Sequence, residues 1–112
     1  MDLNRVTLMG HLASDVELTS TPQGAKVGKF TVALNRQYKN IATKATTKKV
    51  TWVRIVVWGA RAEACAKYIG KGSMVFLEGL LENNSWVDKK GSKHNSLYVS
   101  ANNVKFLSQK KG

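Results

Sequence analysis

The sequence predicts an all-β fold: a small five-stranded barrel with one short helix between the third and fourth strands. Three observations carry this. Apolar residues alternate with period two along most of the chain, as on half-buried strands. Glycines interrupt the apolar strands at Gly10 and Gly79, where a sharply coiled sheet needs a missing side chain. Only residues 60–69 switch to the three-four spacing of a helix.

The first strand covers residues 3–12, with Val6, Leu8 and Leu12 on one face and Gly10 as a kink. A turn-rich stretch, Thr19 to Gly24, holds the single proline, Pro22. The second strand alternates Phe30, Val32 and Leu34 inward, and Arg36 and Tyr38 continue that parity. Residues 39–49 are polar and basic without apolar period, which predicts a mobile hairpin loop. In the third strand Val53, Ile55 and Val57 share one face and Trp52, Arg54, Val56 and Trp58 the other. The outward side of a half-buried strand is normally polar, so two tryptophans flanking an arginine ask for a ligand or a partner.

Gly59 ends that strand. Ala62, Cys65, Ala66 and Ile69 then form a helical face, with Gly70 expected as a left-handed cap. The fourth strand runs from about Met74 to Trp86, with Val75, Leu77 and Leu81 inward and Gly79 as a bend or bulge. Asp88-Lys89-Lys90-Gly91 is a hairpin turn signal. The fifth strand carries Leu97, Val99 and Ala101 inward, then Val104 and Phe106 beyond a bulge near Asn102-Asn103. Three strands, a helix and two strands fit a five-stranded OB barrel. An SH3-like or other small β-barrel stays open, with the helix favouring the first. The expected domain is residues 1–108, followed by a short basic end at 109–112 without an acidic tail.

The 112 residues suffice for one domain and one core. Eighteen Lys and Arg against seven Asp and Glu leave a formal charge of +11. Such an excess repels itself and calls for a polyanionic partner, nucleic acid before an anionic membrane surface. No apolar run approaches the roughly 18 residues of a spanning helix, and the start lacks the basic-then-apolar order of a secretory signal. One cysteine, Cys65, excludes an internal disulfide and reads as a small apolar helix residue suited to a reducing compartment.

From Leu18 to Ala62 there is no acidic residue, while Lys29, Arg36, Lys39, Lys44, Lys48, Lys49, Arg54 and Arg61 lie there among Tyr38, Trp52 and Trp58. Cations attract phosphates and release condensed counterions on binding. Aromatic faces accept unpaired bases of any identity. Tyr38, Trp52, Trp58 and Trp86 are the candidate stacking residues; those eight cations, with Lys89 and Lys90 of the turn after Trp86, are the candidate phosphate contacts. Filling a core or a subunit interface is the alternative for the tryptophans. Phe76, opposite in parity to Val75 and Leu77, is an interface candidate. No catalytic residues, metal or cofactor are expected. His11 and His94 are the only histidines, each read as a surface residue of no special role, and no metal-ligand spacing or phosphate-binding glycine loop accompanies them.

These residues occur in blocks whose order resembles the bacterial and mitochondrial type of single-stranded DNA-binding protein: NRVTLMGHLASDVEL, TPQG, VGKFTVALNR, TWVRIVVWG, AEACAKYIGKGSMVFLEG and SWVDKKG. The resemblance covers nearly the whole chain. It implies an OB-fold homotetramer, a dimer being the lesser assembly, that single-stranded DNA wraps with little sequence preference, serving replication, recombination and repair. It places the family's stacking aromatics on Tyr38, Trp52, Trp58 and Trp86, and implies subunit contacts at Val6, Val53 and Phe76. A cytoplasmic, nucleoid-associated location follows, with a mitochondrial or mobile-element origin left open. Three departures stand out. Glu82-Asn83-Asn84-Ser85 replaces a run that is often basic, Val53 stands where histidine is common, and the end at 109–112 does not offer the acidic tip through which relatives recruit protein partners. A primosome-like interaction module and a single-stranded RNA binder are the alternative functions.

Overall fold

The computed structural model describes residues 2–108; the basic end at 109–112 lies outside them. Six strands and one helix follow in the order β1 (Val6–Leu12), β2 (Glu17–Ser20), β3 (Lys26–Lys39), β4 (Thr46–Trp58), α1 (Ala60–Tyr68), β5 (Met74–Val87) and β6 (Lys93–Phe106). The sheet runs β1-β5-β6-β4-β3-β2, and a second pairing of β1 with β3 closes β1, β5, β6, β4 and β3 into a five-stranded barrel. The expected fold class stands. The short β2 adds to the edge of β3, in register from Glu17 opposite Lys29 to Ser20 opposite Lys26. It occupies part of the stretch expected as turn, so the turn itself is confined to the residues around Pro22.

The period-two pattern of β4 makes the core. Ile55 and Val57 are buried with Phe30 and Val32 from β3, Val75 and Leu77 from β5, and Val99 and Ala101 from β6. Full burial of a side chain such as Ile55 contributes about 1.5–3 kcal/mol relative to exposure. Helix α1 adds Ala62 and Cys65, with Ile69 beyond its end. Burial pushes the Cys65 thiol up to about 11, partly offset by the Arg61 charge, so it stays a neutral apolar group. The left-handed residue after the helix is Gly72, with φ of 92°, not Gly70. The reason is local: the Gly70 N–H donates to the Ser73 hydroxyl, and the tight reversal comes two residues later, where the Gly72 N–H donates to the Leu12 carbonyl.

Two glycines let the barrel close. A Cβ on Gly10 would lie 2.6 Å from the Ala33 carbonyl oxygen. A Cβ on Gly79 would collide with the Ser100 carbonyl and lie 2.8 Å from the Ala101 Cα. There the register jumps from Glu78 opposite Asn103 to Gly79 opposite Ala101, which leaves Asn102 as the extra residue of the expected bulge.

Both long hairpins outrun the core. The stretch 39–49 is not a mobile loop: β3 and β4 stay paired out to Lys39 opposite Thr46, and only residues 40–45 turn. Backbone pairing needs no apolar period, and Thr46, Thr47 and Val50 favour extended chain. Asn40 organises the turn by accepting the Ala42 and Thr43 N–H groups on its side-chain oxygen, and Lys44 takes the left-handed conformation. Likewise β6 begins at Lys93, and Leu81 and Leu97, expected inward, are exposed because their ribbon has left the barrel. Among the described residues no helix is long and apolar enough to cross a membrane.

Candidate nucleic-acid interface

Strand parity sets the site. Since Ile55 and Val57 must point inward, Trp52, Arg54, Val56 and Trp58 point out, and both tryptophans are well exposed, at 62% and 48%. Across β3 their partners are Ala33, Thr31, Lys29 and Val27 in that order. Trp58 therefore stands directly opposite Val27, which is buried although it belongs to the outer face. Beside β4 in the sheet lies β6, paired at Ile55 with Val99 and Val56 with Ser100. Tyr98 thus joins the same outer face, and a groove of about 320 Å³ forms between Lys29, Arg54, Trp58, Asn84 and Tyr98.

The face continues along the β5–β6 ribbon. Glu82 pairs with Tyr98, Asn84 with Ser96 and Trp86 with His94, all on the outer parity. Trp86 is 46% exposed and stacks on His94, with ring centroids 5.3 Å apart and planes 20° from parallel. His94 Nε2 lies 2.7 Å from the Asp88 carboxylate. That contact is the main reason the Asp88 carboxyl sits below its ordinary range, with the backbone N–H groups of Ser92, Lys90 and Gly91 helping.

The remaining candidates are distributed unequally. Lys39 and Lys48 share the parity of Trp52, whereas Arg36, Tyr38 and Lys49 lie on the opposite side of the β3–β4 ribbon. There Arg36 sits 5.7 Å from the Tyr38 ring centre, within cation–π range. Lys44 occupies the ribbon's turn, Arg61 is exposed in the first turn of α1, and Lys89 and Lys90 form the turn beyond Trp86. None of these cations, nor Lys29 or Arg54, has an ion-pair partner among the described residues, where the ion pairs are Arg5–Glu78 and His94–Asp88. Glu17, opposite Lys29, and Glu82, on the β5–β6 face, are the carboxylates beside them.

Of the interface candidates, Val6 and Val53 pack partly buried against the core, while Phe76 lies on the outer face opposite Met9. Among the described residues no group of three or more His, Cys, Asp or Glu could hold a metal ion. Sequence reasoning missed Tyr98 and His94 as parts of the site. Tyr98 was findable, since its parity opposes Leu97 and Val99. His94 was not, because meeting Trp86 depends on the register that the intervening turn imposes.

The groove has the makings of a single-strand site: aromatic faces to receive unpaired bases, and cations to hold a backbone. Comparisons with known proteins agree. The single-strand binding protein family matches residues 3–107. Single-stranded DNA-binding protein 1 of Chlorobaculum tepidum is 36% identical over 109 residues, covering 96% of this chain and 67% of that one. Single-stranded DNA-binding protein 2 of Staphylococcus aureus is 37% identical over 108 residues, covering 96% and 76%. A solved Plasmodium falciparum SSB complex with ssDNA superposes with a TM-score of 0.87 at 24% identity, covering 96% of this chain and 97% of that one, a likeness of fold. With a match over nearly its whole length, this chain belongs to the single-strand binding protein family.

Proposed function

We propose that the chain binds single-stranded DNA with little sequence preference, stacking bases on Trp52, Trp58, Trp86 and Tyr38 and neutralising phosphates with the cations around them. The observation that carries this is the outer face of β4, where two exposed tryptophans flank Arg54 beside Lys29. A purely electrostatic polyanion binder needs no stacking platform, and a core would not leave these rings in solvent. The names of the relatives support the same reading. We further propose the roles in replication, recombination and repair that go with strand protection, a nucleoid-associated location, and a homotetramer with contacts through Phe76, Val6 and Val53. No catalytic role is assigned.

The test is titration with oligo-dT while tryptophan emission is followed. Stacking quenches the indoles, so emission should fall to saturation. The same titration with duplex DNA should give far weaker binding, because paired bases are already stacked. Equal affinity for both, or no quenching at saturation, would reduce the protein to a generic polyanion binder. An RNA oligomer of equal length separates the remaining alternative, since stacking alone does not read the 2′-hydroxyl.

A further inference from the structure

We propose that His94 is a positioning residue for Trp86: its imidazole covers one face of the indole, holds the ring in orientation, and leaves the other face for a base. This rests on the reading of Trp86 as a stacking residue.

The hold can be traced bond by bond. One carboxylate oxygen of Asp88 accepts the N–H groups of Lys90 and Ser92, each at 2.9 Å, which ties it to the hairpin turn. Gly91 completes the turn in the left-handed region, with φ of 84°. The other carboxylate oxygen is 2.7 Å from His94 Nε2, and the imidazole lies nearly parallel over Trp86, its cross-strand partner. The turn thus orients Asp88, Asp88 orients His94, and His94 orients Trp86. On a ribbon whose residues 82–87 are all exposed, no core packing does this for the indole. A ring left free must be ordered when a base arrives, and that cost is subtracted from affinity. Beside the pair is a concavity of about 530 Å³ lined by Ser85, Trp86, Val87, Lys93, His94 and Asn95.

The charged groups around the pair are Asp88, the hydrogen-bond partner of His94, and Lys89, Lys90 and Lys93 of the same hairpin. Strand β5 carries no charged residue between Glu82 and its end, and β6 carries none between His94 and Lys105.

The experiment measures oligo-dT affinity for the wild type, His94→Ala, His94→Phe and Trp86→Ala. Loss of a stacking residue weakens binding by about 5- to 150-fold, and Trp86→Ala should fall in that range. Removing only the ring that orders it should cost about two- to tenfold, so His94→Ala should weaken binding by that amount. His94→Phe restores the aromatic cover and should bind like the wild type. Wild-type affinity in His94→Ala, with Trp86→Ala still weakened, would overturn the role of His94 and leave stacking intact. Unweakened Trp86→Ala would instead remove the stacking reading at Trp86, and the inference with it.

Discussion

Arg36 and Lys49 are direct cross-strand partners on the β3–β4 ribbon, two like charges facing each other with no ion-pair partner for either among the described residues. Like charges directly opposite destabilise a strand pair, typically by about 0.2–1 kcal/mol relative to a neutral pair. Arg36 meets only the Tyr38 ring, and no carboxylate among the described residues pairs with either charge, which is intelligible if a phosphate does. Lys49→Gln should therefore raise the urea midpoint slightly or leave it unchanged while weakening oligo-dT binding. The log–log salt dependence of affinity should become shallower by about 0.7 if one phosphate contact is lost. An unaltered slope would take Lys49 off the DNA path.

The two tryptophans of β4 should separate binding from stability. Each is expected to lose roughly 1–3 kcal/mol of oligo-dT affinity on change to alanine. Their structural costs differ. Trp58 stands opposite Val27, which is only 6% exposed, whereas Trp52 stands opposite Ala33 near the start of the free ribbon and is 62% exposed. Trp58→Ala uncovers apolar surface and should lower the urea midpoint; Trp52→Ala should leave it close to the wild type. Equal destabilisation would place Trp52 in packing that the monomer does not contain.

How much of this was legible beforehand follows from what each signal depends on. The outward tryptophans and the inward Ile55 and Val57 were readable because strand parity is local: position n decides the side for n+2. The bulge at Asn102 was readable because Gly79 and Asn102-Asn103 both announced it. The ribbons were not. Residues 39–49 have no apolar period, and a strand held by backbone bonds beyond the core has no need of one. Leu81 and Leu97 misled for the complementary reason, since apolar alternation continues past the point where the barrel ends. His94 stayed invisible because its meaning is a cross-strand register, a relation that neither residue carries alone.

The glycines of the barrel should sort by mechanism. Gly10→Ala and Gly79→Ala place a methyl group against backbone, the Ala33 carbonyl in one case and Ser100 with Ala101 in the other. Overpacking of this kind costs about 1–3 kcal/mol, occasionally more, and Gly79 should be the worse because its obstacle is wholly backbone. Gly72→Ala meets no atom within 4 Å but sits at φ of 92°, so it should lose about 1–2 kcal/mol through conformational strain alone. Urea unfolding of the three variants checks the order. Gly72→Ala proving the most damaging would mean that closure tolerates more shift than the geometry allows.

The end of the β5–β6 hairpin should loosen in acid through Asp88. Its carboxyl is held below the ordinary value, first by His94 and then by the backbone N–H groups of Ser92, Lys90 and Gly91. A carboxyl depressed on folding contributes stability that is complete above its unfolded value, near pH 4, and is lost as the pH falls through the folded value. Protection of the Lys90 and Ser92 amides against hydrogen exchange, corrected for intrinsic rates, should therefore be flat from neutrality down to about pH 5 and fall below about pH 4. Asp88→Asn keeps an oxygen to accept both N–H groups but has no proton to take up, so its protection should be lower at neutrality and independent of acid. If the asparagine variant lost protection in the same window as the wild type, the acid-sensitive group would lie elsewhere in the hairpin.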